Sequence, residues 1–83
     1  MPYYVYVLLC EDGSYYTGCT KNTSSRFKQH LKGRGARYTR IHKPQKIVYV
    51  EECSSLGEAM RRERAVKLMS HQKKRSLAER CDA

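Results

Sequence analysis

The side chains of this chain that could do chemistry are few and regularly placed. Tyr6 and Tyr16 lie ten residues apart within apolar stretches, Arg26 and His30 lie four apart, and Glu63 stands among apolar positions. Glu63 follows Ala59 by four and Met60 by three and precedes Val66 by three, so a helix here turns its carboxylate toward a sheet rather than toward water. An unpaired buried carboxylate costs on the order of several kcal/mol. It must meet a cation, either an arginine such as Arg26 in a structural salt bridge or a metal ion. Arg26 and His30, one helical turn apart, share a face. Taken singly, each tyrosine is a half-buried sheet aromatic. Two tyrosines, an arginine, a histidine and an inward glutamate converging on one sheet face would instead make a site.

Those residues need elements to hold them. Residues 3–9, Tyr-Tyr-Val-Tyr-Val-Leu-Leu, are β-branched, aromatic and aliphatic without a break and predict a largely buried strand. Glu11-Asp12-Gly13 reads as a turn and residues 14–19 as the returning strand of a hairpin. A two-residue loop would pair Tyr6 with Cys19 and put Tyr6 and Tyr16 on opposite faces. A three-residue loop with Gly13 in the left-handed position pairs Leu8 with Tyr16 and Tyr6 with Gly18, and the tyrosines then share a face. The three-residue loop is the expectation, with Gly18 leaving room beside Tyr6 for a ligand backbone.

Asn22, Thr23 or Ser24 can cap a helix running to about Leu31 and stopped at Gly33, with Phe27 and Leu31 on its apolar stripe. From Lys32 to Lys46 the chain reads as a loop carrying Lys32, Arg34, Arg37, Arg40, Lys43 and Lys46 without an acid. Residues 46–52 predict a third strand. Ser54 or Ser55 caps a helix over about Leu56–Met69, with Ala59, Met60, Val66 and Met69 on its apolar face and Arg61, Arg62, Arg64 and Lys67 mostly away from it. A short last helix covers about His71–Glu79. The order β-β-α-β-α-α predicts a small α+β domain, a three-stranded, mainly antiparallel sheet with packed helices.

Eighty-three residues allow one domain, 1–83, and no internal repeat or linker divides it. Seventeen Lys and Arg against eight Asp and Glu leave a formal net charge of +9, an excess that a polyanion such as nucleic acid would neutralise. No apolar run approaches the roughly 20 residues of a membrane span and no basic leader precedes the first apolar stretch, which predicts a cytoplasmic protein without a membrane partner. Cys10, Cys19, Cys53 and Cys81 form no Cys-x-x-Cys pair, and His30, His42 and His71 do not fall at zinc-ligand spacing beside them. Reduced structural thiols are the expectation.

Tyr4-Val5-Tyr6, ten residues before Tyr16-Thr17-Gly18, resembles the paired triads of GIY-YIG nucleases. Arg26 and His30 match that family's first-helix Arg-x-x-x-His pattern, and Glu58-Ala59-Met60-Arg61-Arg62-Glu63 resembles its metal-binding helix. The match covers nearly the whole chain. The stretch Gly33-Arg34-Gly35-Ala36-Arg37-Tyr38-Thr39-Arg40 resembles the small stand-alone, UPF0213-like branch of bacteria and archaea. The first triad departs from the family in lacking its glycine and the second in having Thr17 for isoleucine. The stretch Ser70-His71-Gln72-Lys73-Lys74-Arg75 lacks the asparagine of larger members.

The resemblance implies an endonuclease hydrolysing phosphodiester bonds, in DNA rather than RNA, with one divalent ion, Mg²⁺ or Mn²⁺, held by Glu63. Arg26 would then bind the scissile phosphate, Tyr16 would take the proton from the attacking water and Tyr6 would orient that water or share the task. His30 is an alternative base or a phosphate contact. The backbone would be gripped by Lys32, Arg34, Arg37, Tyr38, Arg40 and Lys43. Two other readings accommodate the same residues: a non-catalytic nucleic-acid-binding module on this fold, and an assembly protein whose basic face docks an acidic partner. Nothing in the chain indicates its oligomeric state.

Overall fold

The computed structural model describes residues 2–34 and 37–81. Met1, Gly35 and Ala36 of the basic stretch, and the side chains of Arg80 and Cys81 lie outside the described residues. Strands β1 (Tyr3–Cys10), β2 (Tyr15–Thr20) and β3 (Pro44–Cys53) form an antiparallel sheet in the order β2-β1-β3. Helices α1 (Thr23–Leu31) and α2 (Arg37–Ile41) precede β3, and α3 (Leu56–Lys67) and α4 (His71–Cys81) follow it. The architecture is the α+β one expected, with α2 added.

The hairpin turns through Glu11, Asp12 and Gly13. The Gly13 N–H donates to the Cys10 carbonyl at 3.0 Å and the Cys10 N–H to the Ser14 carbonyl at 2.8 Å, which closes a three-residue loop. Gly13 adopts φ +84°, the left-handed conformation a bulged turn of this length requires. Asp12 stiffens the turn by accepting from the Ser14 backbone N–H at 3.0 Å and its hydroxyl at 2.6 Å.

Alternation along β1 divides its side chains between two faces. Val5 and Val7 join Val48, Cys53, Ala59, Val66 and Ala78 in the buried core beneath α3 and α4. Tyr6, Leu8 and Cys10, also buried, fall on the opposite face, where His30 of α1 meets Tyr6.

Five local expectations change. The basic stretch is not loop throughout: α2 forms within it because Thr39 is buried and Tyr38 finds an aromatic neighbour, and those anchors hold one helical turn. Strand β3 begins at Pro44 rather than Lys46. Pro44 pairs with Cys10 as the first residue of an edge strand, where a missing N–H is tolerated. On α1 the buried side chain is His30 while Leu31 is 49% exposed, because the helix packs its Arg26–His30 face on the sheet. On α3, capped by Ser55 and ending at Lys67, Ala59 and Val66 are fully buried but Met60 points outward. Arg62, expected away from the core, is half-buried because its Nε donates to both Glu51 carboxylate oxygens, at 3.0 and 2.9 Å.

Candidate active site

The hairpin register brings the two tyrosines together. Tyr6 pairs with Gly18 and Leu8 with Tyr16, so both phenols project from one face, with ring centroids 6.3 Å apart. A Cβ at position 18 would sit 2.5 Å from the Tyr6 hydroxyl oxygen and 2.7 Å from its Cζ. The Tyr6 ring therefore lies across Gly18. The space that sequence reasoning reserved for a ligand backbone is filled by the tyrosine itself.

Helix α1, capped by the Asn22 side chain accepting from the Ser25 N–H at 3.0 Å, delivers Arg26 and His30 to this face. His30 is 1% exposed. Its Nε2 lies 2.9 Å from the Tyr6 hydroxyl and its Nδ1 2.7 Å from the Thr39 hydroxyl. The imidazole also contacts the Tyr16 ring, at 5.2 Å between centroids. Arg26 donates to the Gln29 side chain at 2.8 Å, and its guanidinium faces the Tyr6 hydroxyl.

Burial sets the protonation of this cluster. It pushes Tyr6 up to about 12, against the opposing pull of the Arg26 guanidinium. Burial raises Tyr16 as well; Lys67 and Arg26 pull it back and Glu63 adds to the rise. Burial, then the Arg26 charge, hold His30 below the usual histidine range, so a neutral imidazole is favoured. At neutral pH these three groups are hydrogen-bonding neutrals, and a phenolate among them needs further positive charge close by.

Glu63 is placed differently from the tyrosines. Its carboxylate, 20% exposed, pairs with Lys67 Nζ at 2.9 Å rather than with Arg26. The Cys19 thiol hydrogen-bonds it, and burial first, then Glu63, push that thiol up to about 11. Val5 is the register partner of Cys19, so Glu63 stands on the α3 side of edge strand β2. Tyr16 feels the charges of both Glu63 and Lys67 from the other face. The rim of β2 is where they meet.

Among the described residues no group of three or more His, Cys, Asp or Glu forms a ready-made metal cage. The donor set does fit a hard divalent ion. Glu63 is a partly exposed carboxylate whose partner is a lysine 51% exposed and free to swing away, and Mg²⁺ commonly takes one or two carboxylates and fills its shell with water and phosphate oxygens.

The basic residues fall into two groups. Lys32 and Arg34 line an open depression of about 410 Å³ with Ser25, Lys28 and Gln29. Arg37 and Arg40 are exposed on α2, and Lys43 is exposed just before β3. Tyr38 joins the site directly, stacked on Tyr16 with centroids 5.9 Å apart and on His42 at 4.2 Å, while His42 is held by the Asp12 carboxylate in the hairpin turn. Sequence reasoning missed Thr39, His42, Asp12 and Lys67. Of these, only Lys67 carried a local signal, its spacing four residues after Glu63.

No helix among the described residues is long and apolar enough to cross a membrane. Residues 2–76 match the family model for the GIY-YIG catalytic domain. A UPF0213 protein of Staphylococcus haemolyticus (strain JCSC1435) is 46% identical over 77 residues, 93% of this chain and 94% of that protein. One of Staphylococcus saprophyticus is 43% identical over 75 residues, covering 90% and 92% of the two chains. Among solved structures, the solution NMR structure of a UPF0213 protein from Bacillus halodurans is 46% identical with a TM-score of 0.59, covering 95% of this chain and 84% of that one. That of protein EF2693 from E. faecalis is 36% identical with a TM-score of 0.61, covering 89% and 79%. With the paired tyrosines, the Arg26–His30 helix face and the glutamate helix in the order that the family model spans, the chain belongs to the GIY-YIG catalytic domain family, a family of nucleases.

Proposed function

We propose that this chain, as one domain, is a cytoplasmic metal-dependent endonuclease that hydrolyses phosphodiester bonds in DNA in preference to RNA. The observation that carries the reading is the convergence of Tyr6, Tyr16, Arg26 and His30 on one sheet face, with Glu63 reaching the adjoining rim. Arg26 binds the scissile phosphate, because its fork of donors suits two phosphate oxygens and the negative charge that grows on them. Tyr16, the phenol beside Lys67 and Arg26, takes the proton from the attacking water. Tyr6 orients that water, its own hydroxyl held from below by His30. Glu63 would hold Mg²⁺ or Mn²⁺, which when bound supplies positive charge to the leaving oxygen and to the phenols. Lys32, Arg34, Arg37, Arg40 and Lys43, with Tyr38, grip the backbone on either side.

The test is incubation of the protein with labelled single-stranded, duplex and branched DNA and matching RNA, with and without Mg²⁺ or Mn²⁺. Cleavage is expected only with the ion. Glu63→Ala should abolish it while binding persists, and its melting temperature without metal should change little because the Lys67 pair is partly exposed. Salt-sensitive binding with no cleavage under any ion would overturn the enzyme reading in favour of a non-catalytic binding module.

A further inference from the structure

The buried chain Tyr6–His30–Thr39 reaches one residue past the groups given roles above. His30 and Thr39 are 1% and 2% exposed, so neither imidazole nitrogen can turn to bulk water for a partner. A neutral imidazole has one donor nitrogen and one acceptor. Its Nε2 lies 2.9 Å from the Tyr6 hydroxyl and its Nδ1 2.7 Å from the Thr39 hydroxyl, so the two contacts fix each other's direction. A phenol is a stronger acid than a neutral imidazole N–H and so the better donor; the favoured arrangement has Tyr6 donating to a bare Nε2. The ring proton then sits on Nδ1 and needs an acceptor. Arg26, which faces the cluster from α1, has donors only, and Tyr16, from β2, meets the imidazole as a ring contact. Thr39 Oγ1 is the acceptor in place.

We propose that Thr39 is a positioning residue that holds His30 in the Nδ1-protonated tautomer, so that Tyr6 donates to Nε2 and keeps, beside the lone pair that faces Arg26, a second one for the attacking water. The opposite tautomer reverses the bond: Nε2–H donates to the phenol oxygen, occupies a lone pair and turns the Tyr6 proton toward the water. The consequence for cleavage rests on the nuclease reading, whereas the tautomer does not. Because Thr39 belongs to α2, whose Arg37 and Arg40 are exposed beside it, the same short helix that offers charge to a phosphate backbone also sets the polarity of Tyr6.

Ring-¹⁵N NMR of the labelled protein decides it, with His30 distinguished from His42 and His71 by its absence from the His30→Gln spectrum. In the parent, Nδ1 should appear protonated and Nε2 unprotonated. Thr39→Val keeps the β-branched shape and removes the acceptor, which makes a buried Nδ1–H costly and should move the proton to Nε2. Thr39→Ser should restore the parent pattern. In cleavage assays Thr39→Val should lower kcat at least about tenfold with KM little changed, a fraction of the roughly 10²–10⁴ that a positioned acid–base group contributes, and Thr39→Ser should recover it. A parent His30 protonated on Nε2 overturns the proposal, as does a Thr39→Val variant that changes the tautomer without changing kcat. If Thr39→Val does not fold, the parent and Thr39→Ser spectra still tell the two tautomers apart. A parent that cleaves nothing defeats the nuclease reading, while the ring nitrogens continue to report on Thr39.

Discussion

Tyr6 can lie where it does because position 18 has no side chain, and the 2.5 Å that would separate a Cβ from its hydroxyl leaves no tolerance for one. Its neighbour Thr17 shows the opposite fit. The Thr17 side chain is buried on β2, and its Oγ1 has no hydrogen-bond partner among the described residues, where the family's second triad carries an isoleucine. Thr17→Val retains the β-branched shape and removes an unpaired hydroxyl, so it should stabilise the protein by about 1 kcal/mol, raising the melting temperature by roughly 4–8 °C. A lower melting temperature would mean that the hydroxyl is satisfied in solution. Tyr16→Phe asks a different question of the same strand. The ring keeps its contacts with Tyr6, His30 and Tyr38, so melting and nucleic-acid binding should not move, while kcat should fall by about 10² or more if the hydroxyl takes the proton. Equal cleavage by Tyr16→Phe would transfer that role to Tyr6 or His30.

At the scale of elements, the hairpin was legible because its register follows from loop length alone: Gly13 in a three-residue turn sets Tyr6 opposite Gly18. Helices α1 and α3 were legible from their caps, and the faces they bury in part: Ala59 and Val66 lie inward as expected, whereas Leu31 and Met60 do not. His30 displaced Leu31 from the interior because both ring nitrogens find partners there, a compensation that no periodicity reveals. Glu63 read as inward and is largely covered, yet its partner Lys67 stands one turn along the same helix rather than across the site. Helix α2 escaped notice because it is five residues long and its anchors, Tyr16 and His30, belong to other elements. It nevertheless gives the basic stretch a rigid part. Replacing Arg34, Arg37 and Arg40 with serine leaves the Tyr38 and Thr39 anchors in place, so the fold should survive. Binding to all sequences should weaken alike, and the log–log salt slope should flatten by roughly 0.9 for each duplex-DNA phosphate that is no longer neutralised. An unchanged slope would move the nucleic acid elsewhere, to Lys28 beside the depression on α1 or to the Lys73-Lys74-Arg75 run of α4.

Over the whole molecule, a net charge of +9 on 83 residues and a neutral histidine sealed beneath the site make stability depend on pH in two separable ways. Acidification raises the positive charge and with it the self-repulsion of the compact state, an effect that added salt screens. His30 acts through linkage instead. Burial and Arg26 depress its folded-state pKa, whereas in the unfolded chain it titrates near about 6.5. Its contribution is therefore complete above that unfolded value and is lost as pH falls from there toward the lower folded one, because the unfolded chain takes up a proton that the native state refuses. Asp12, held below the usual carboxylate range first by the Ser14 hydroxyl and then by His42, follows the same sign but gives way only below about pH 4, where an unfolded aspartate protonates. The interval from about pH 7.5 to 5 thus isolates the histidines. Thermal melts of the parent and of His30→Gln across that interval, at low salt and again at high salt, should show the parent losing stability more steeply. The difference between the two slopes should persist at high salt, since a buried desolvation cost is not screened by ions in the solvent. Parallel slopes for the two proteins would place a protonated or solvated His30 in the native state, and the neutral Tyr6–His30–Thr39 chain could not stand.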